Sequence, residues 1–280
     1  MIPYPEISPE IVRIGPLSIR WYGMMYLLGF ALSYFLVMRQ IKKRGSPEAN
    51  SRCLPEVGAE ASSGSKRGSK RLITMPEVEA LYSYLILGLL LGARFGYVVF
   101  YNLPYYFQHP LEVFAVWHGG MSFHGGLIGC IFAGLIFCRK FSLDFWHVSD
   151  LISVTAPIGL GLGRIGNFLN GELYGRVTNV QWAMIFPSGG PYPRHPSQIY
   201  EFLLEGVALF AILWILKDKA SRSGIISSAF LMLYGLFRFA VEFFREPDTQ
   251  VGFVLDAFTM GQQLSVFMII MGAIIYYRRR

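Results

Sequence analysis

Charge is what this chain has least of: Asp, Glu, Lys and Arg make up 15% of its 280 residues, against about 25% in soluble domains. A water-soluble enzyme could not cover its surface with so little. Three cysteines are too few for a disulfide scaffold. No GxSxG, HExxH or GxxxxGK[ST] occurs, which removes the hydrolase nucleophile elbow, the zinc-protease helix and the phosphate loop. The amino end, MIPYPEISPE, has no basic n-region and does not read as a cleaved signal peptide. What is present is apolar. Hydrophobic residues are 53% of the chain, with a further 30 glycines, which excludes disorder and fits a chain dissolved in lipid.

A hydrocarbon core of about 30 Å needs roughly 20 apolar residues in a helix. Seven runs of that kind occur, at about 21–38, 80–101, 120–138, 148–169, 199–216, 225–244 and 258–277. The expected fold is all-α: a single polytopic membrane domain of seven transmembrane helices with its termini on opposite sides. The net charge of +7 follows this layout. Seventeen of the 25 Lys and Arg residues fall in the breaks of one side, five fall on the other, and Arg94, Arg164 and Arg238 lie within runs. By the positive-inside rule the amino end is outside and the carboxyl end cytoplasmic, and the basic balance points to no nucleic-acid partner. The cytoplasmic loop 39–79 contains a polar insertion, 46–72, which reads as flexible. Its basic end is either a solvated linker or a contact for anionic lipid heads.

Ionisable residues inside spans are costly and mark functional candidates. On this topology Arg20, Tyr22 and Tyr26 lie in the outer third of the first span, and His118 and His124 at the outer end of the third. Arg164, Asn167, Asn170 and Glu172 stand at the outer end of the fourth, and Arg238, Glu242 and Arg245 at the outer end of the sixth. Four spans thus bring polar groups to one depth. Arg164 and Asn167 are spaced i, i+3. Arg238, Glu242 and Arg245, at i, i+4 and i+7, are expected on one helical face, where Glu242 would hold a guanidinium and leave two cations with one counter-ion. Arg94 falls near the middle of its run.

Other patterns carry less. Gly161, Gly163 and Gly166 spell GxGxxG inside an apolar run, without the strand and crossover a dinucleotide site needs. Gly88, Gly92, Gly96, Gly125, Gly129, Gly159 and Gly163 have small-xxx-small spacings that serve close helix packing. His118 and His124 lack a third ligand at metal spacing, so no metal is expected, and nothing calls for a cofactor. Cys130 and Cys138, without basic neighbours, read as packing residues. Arginine binds phosphate bidentately and stays charged when buried, and histidine exchanges a proton near neutrality. The outer cluster therefore suits an anionic phospholipid head group, with a base for a nucleophile that the protein does not supply.

At these residues the sequence resembles the prolipoprotein diacylglyceryl transferase family. The likeness is carried by RWYGMMY (20–26), HGGMSFHGG (118–126), GRIGNFLNGELYG (163–175), RHPSQIYE (194–201) and GLFRFAVEFFREPD (235–248). It spans all seven runs and leaves out only 46–72. It implies an inner-membrane enzyme that moves the diacylglyceryl group of phosphatidylglycerol onto the lipobox cysteine of a preprolipoprotein, forming a thioether and releasing glycerol phosphate. By the same resemblance His124 is the base and Arg164 and Arg238 the phosphate-binding pair. Asn167, Glu172 and Gly175 belong to the signature motif, Tyr26 to the wall of the first span, and Glu242 orients Arg238. Asn170 and Arg245 are supporting or head-group contacts, and 170–197 forms a small periplasmic cap. Residues alone leave two other classes open, a transporter or anion channel and a lipid-binding scaffold without turnover.

Overall fold

The computed structural model describes residues 2–5, 7–14, 17–44, 73–115, 119–246, 253–254 and 258–280. The insertion 46–72 and His118 lie outside them. The long helices are α1 (Trp21–Arg44), α2 (Met75–Tyr101), α4 (Phe123–Phe141), α5 (Phe145–Leu169), α6 (Ser197–Leu216), α7 (Ile225–Val241) and α8 (Met260–Arg279), with a short α3 (Leu103–Gln108) and a 3-10 turn Pro110–Phe114 before α4. Six of these are long and apolar enough to cross a membrane. The sixth apolar run, 225–244, gives a shorter helix: α7 stops at Val241 after 17 residues, and 242–244 form a turn. Nor are the described residues all helical. Two small antiparallel hairpins pair β1 (Glu10–Ile14) with β2 (Leu17–Arg20) and β3 (Phe253–Val254) with β4 (Phe258–Thr259), each close to the amino end of a long helix.

Helix starts follow local chemistry. Thr74 precedes α2 with Glu77 three residues on, and the Glu77 carboxylate accepts from Thr74 N and Oγ1 at 2.8 Å, a capping box that begins the helix five residues before the apolar run. Ser122 caps α4 by accepting from Gly125 N at 3.2 Å.

The chain forms two compact units. In the unit Val37–Ser149, α2 and α4 pack through glycine. A Cβ on Gly88 would stand 2.6 Å from Gly129 O, one on Gly92 2.8 Å from Gly129 Cα, and one on Gly96 2.7 Å from Gly125 Cα. Helices in lipid are held by such close van der Waals packing, so the small-residue spacings here are structural. Arg94 is buried in the same unit. Its Nε donates to Val113 O at 2.8 Å, Nη1 to Gly119 O at 2.6 Å and Gly120 O at 3.1 Å, and Nη2 to Glu112 O at 2.6 Å, with the Tyr106 ring 5.2 Å away. The mid-run arginine thus gathers the backbone just before α4.

The other unit joins Met1–Leu36 to Asp150–Arg280. Its core is Val154, Leu209, Leu213 and Ile226, covered by Trp214, Phe230, Leu233 and Phe237. Gly224, at φ +98, begins α7 with no side chain to cap it. Asp150 of α5 supplies the cap, accepting from Gly224 N at 2.7 Å, Ser227 N at 2.8 Å and Ser227 Oγ at 2.7 Å. Gly161 lies against Gly206 of α6 (3.0 Å from its built Cβ to Gly206 Cα) and Gly166 against Tyr22 of α1 (3.1 Å), whereas Gly163 has nothing within 4 Å. The GxGxxG glycines are packing positions in two cases of three.

Candidate active site

Helices α5, α6 and α7 bring five ionisable side chains together inside the unit that contains them. Arg164 of α5 sets Nε 2.8 Å from Glu201 Oε2 and Nη2 3.7 Å from Glu205 Oε2. Arg238 of α7 pairs through Nη1 with Glu201 Oε1, lies 3.8 Å from Glu205 Oε1, and sets Nη2 2.9 Å from Glu242 Oε2. Glu201 therefore bridges both guanidiniums. Glu201 and Glu205 are four apart where α6 is π-wound over Phe202–Ala208, with Leu209 N bonded to Leu204 O. A π-helical turn holds more residues than an α-helical one and is frequent at functional sites; here it keeps the two carboxylates close on one face.

Glu242 is fixed from behind. Its Oε1 accepts from Thr259 Oγ1 at 3.0 Å, and Thr259 and Gln262 form the capping box of α8. A Cβ on Gly261 would lie 2.7 Å from that carboxylate, so only glycine lets the start of α8 approach so closely. The accessible side is the cationic one. Arg164 and Arg238 side chains are 20% and 11% exposed, against 1%, 0% and 6% for Glu201, Glu205 and Glu242. Buried carboxylates hold two guanidiniums whose outward edges can meet an anion.

This corrects the sequence reading in two respects. Arg238 and Arg245 were expected to share the single counter-ion Glu242; instead Arg238 is grouped with Arg164 against three carboxylates, and Glu201 and Glu205 were not among the expected site residues. The signal was present, because both are carboxylates inside an apolar run. Nor does Arg245 share a helical face with Arg238. The helix ends four residues before it, and Arg245 forms a β-bridge with Gly175, its carbonyl accepting from Arg176 Nε at 2.9 Å.

The signature residues form a second layer. Glu172 Oε1 accepts from Asn167 Nδ2 at 3.0 Å and Asn170 Nδ2 at 3.2 Å, and its backbone O accepts from Gln198 Nε2 at 2.7 Å. Tyr22 and Tyr26 of α1 share a hydroxyl contact of 3.0 Å, and Tyr22 faces Arg164 and Glu172. Gly175 lies where three backbone stretches cross. Its N donates to His195 O at 2.8 Å, and a Cβ would strike Phe244 O and come within 2.7 Å of His195 Cβ. His195 is half-buried and burial pushes its imidazole below the ordinary value. His124, in the unit Val37–Ser149, is an exposed residue in the first turn of α4, its ring edge-on to Phe123. Tyr26, Arg164, Asn167, Glu172, Gly175, Arg238, Glu242 and Arg245 all belong to the other unit.

The profile of the prolipoprotein diacylglyceryl transferase family matches residues 9–278. This chain belongs to that family. It is 50% identical to the phosphatidylglycerol–prolipoprotein diacylglyceryl transferase of Desulfotalea psychrophila over 98% of this chain and 94% of that protein. Likewise it is 46% identical to that of Geobacter sulfurreducens, over 99% and 98%, and 49% identical to that of Bordetella parapertussis, over 99% and 97%. For members of a family so named, a guanidinium pair with its free edges outward has the chemistry a phosphate ester requires.

Proposed function

We propose that this chain transfers the diacylglyceryl group of phosphatidylglycerol to the lipobox cysteine of a preprolipoprotein. The observation that carries the reading is the half-buried Arg164–Arg238 pair, accessible on its cationic side, in a chain matched from end to end by transferases of that name. The cysteine sulfur attacks the glyceryl carbon bonded to the phosphate ester, a carbon–sulfur bond forms, and the carbon–oxygen bond breaks with its electrons going to phosphate. The thiol proton passes to a base, the role we give to His124. The leaving phosphate gains one negative charge, which Arg164 and Arg238 stabilise from fixed positions. Glu201 and Glu242 orient the guanidiniums, and Asn167, Asn170 and Glu172 with Tyr26 and Arg245 line the approach to the head group. Neither metal nor cofactor takes part.

The same reading sets the topology. All seven apolar helices cross the inner membrane, α7 with about 25 Å of helix, the amino end is periplasmic, and 170–197 covers the periplasmic opening of the site. Purified protein incubated with phosphatidylglycerol and a lipobox peptide is expected to yield a thioether-modified cysteine, and no product from the cysteine-to-serine peptide. Lipid binding without product would instead identify a scaffold, and modification of the serine peptide would remove the thiolate mechanism.

A further inference from the structure

Glu205 has no part in the mechanism above, yet it is the most enclosed carboxylate of the cluster, at 0% exposure. Both of its oxygens are buried and neither has a hydrogen-bond partner within 3.5 Å, the Tyr234 hydroxyl facing them from beyond that distance. Its ion-pair contacts, 3.7 Å to Arg164 and 3.8 Å to Arg238, are the longest in the cluster. Glu201 and Glu242 have already taken the close positions on the guanidiniums. The groups facing Glu205 are Arg164 from α5, Arg238 and Tyr234 from α7, and Glu201 from its own helix. Among the described residues of this cluster, three carboxylates meet two guanidiniums. Fully ionised, the group would hold one excess negative charge in a low-dielectric interior, where uncompensated charge is costly. An anion would then have to bind beside a net negative site.

We infer that Glu205 holds a proton in the resting protein, and that this proton keeps the arginine cluster electrically balanced so that an anionic phosphate head group can bind beside Arg164 and Arg238. The inference rests on the phosphatidylglycerol reading for the identity of the anion. Glu205 is a positioning residue: it is too enclosed to touch a ligand and acts through the charge available on the two guanidiniums. The phosphodiester keeps a single charge across the alkaline range, so any loss of affinity there originates in the protein.

The test is binding of phosphatidylglycerol in detergent micelles as a function of pH, with phosphatidylcholine as the zwitterionic control. For the wild-type protein, affinity is expected to fall by about tenfold per pH unit above the point where Glu205 ionises, the slope for one linked proton. In Glu205→Gln the neutral amide replaces the protonated acid, and affinity is expected to stay at the low-pH level throughout. Tyr234→Phe is expected to keep the wild-type slope. A wild-type affinity without slope, a slope unchanged in Glu205→Gln, or a slope abolished in Tyr234→Phe would each overturn the proposal. Should Glu205→Gln fail to fold, infrared difference spectra of the wild-type protein across the same pH range decide the matter. The carbonyl stretch of a buried protonated carboxyl must disappear as affinity falls, and its absence at low pH overturns the proposal. Because the readout is binding, a protein that shows this behaviour but forms no thioether refutes the transferase reading alone. One that forms thioether with no pH-linked binding refutes the Glu205 assignment alone.

Discussion

Buried Arg94 and the half-buried pair Arg164 and Arg238 solve one problem differently. Arg94 is neutralised by no carboxylate among the described residues. Its guanidinium is wrapped by the carbonyls of Glu112, Val113, Gly119 and Gly120. Arg164 and Arg238 are held by the carboxylates of Glu201, Glu205 and Glu242. Carbonyl dipoles fix a position but leave no charge that can be exchanged. Carboxylates fix a position and also set a net charge, which proton or ligand binding can alter. The first arrangement shapes the loop before α4; the second can respond to an anion.

The largest effect is expected where that response is removed. Arg238→Ala leaves Glu242 without its close partner and Glu201 with Arg164 alone, a loss of about 3–5 kcal/mol for a broken buried pair. It also deletes half of the cationic face, so transfer to a lipobox peptide should drop by at least ~100-fold. Thermal denaturation in detergent and the peptide assay measure the two parts separately. Normal turnover would show that the carboxylate-held arginines are as structural as Arg94 and would end the contrast.

Arg94 should behave differently. Arg94→Ala removes the donor shared by four backbone carbonyls, at up to about 1–3 kcal/mol for each group left unsatisfied, and hydrogen exchange should rise over 109–115 and 119–122. Arg94→Lys keeps the charge but lacks the planar fork that reaches four acceptors, so it should recover little of the lost protection. Full recovery with lysine would mean that charge, not geometry, organises that loop.

These cases also mark how far the sequence could be read. The helices and the pairing of Arg238 with Glu242 were legible because run length and spacing report them, and the signature motif because it resembles that of the family. Arg94 was not, since its partners are main-chain carbonyls 18–26 residues away, which no side-chain pattern announces. Glu201 and Glu205 obeyed the rule that picked out the arginines, but their own run, 199–216, contains no basic residue with which spacing could pair them. Arg245 was misplaced because i+7 spacing presumes that the helix continues, and α7 ends at Val241. The amino-terminal hairpin lies at 10–20, just before the first apolar run, where run length assigns no structure.

A smaller effect tests the backbone crossing at Gly175, where close main-chain approach rather than an ion cluster sets the geometry. Gly175→Ala pushes a methyl into Phe244 O and His195, where both neighbours are backbone-anchored. Overpacking of this kind costs about 1–3 kcal/mol. Melting temperature and transfer activity should fall together, since the same crossing bridges Arg245. An alanine variant as stable as the parent would show that this crossing can spread.

The smallest expected effect is a pH dependence at that crossing. Trp182 Nε1 donates to Tyr200 OH at 2.6 Å, so the tyrosine hydroxyl is left to donate its own proton to His195 Nδ1, 3.1 Å away. His195 is therefore held as a neutral acceptor, and burial favours the same form. With the folded value depressed, the unfolded chain takes up the proton first as acid is added. The contribution is complete above about pH 6.5, the ordinary imidazole value, and is lost as pH falls from there through the folded value. Melting curves from neutral pH into mild acid should show this decline in the wild-type protein. The decline should be shallower in His195→Phe, which keeps a ring against Phe244 but does not titrate. If both proteins lose stability in parallel, the acid sensitivity lies in other groups and the Trp182–Tyr200–His195 chain is merely a set of packing contacts.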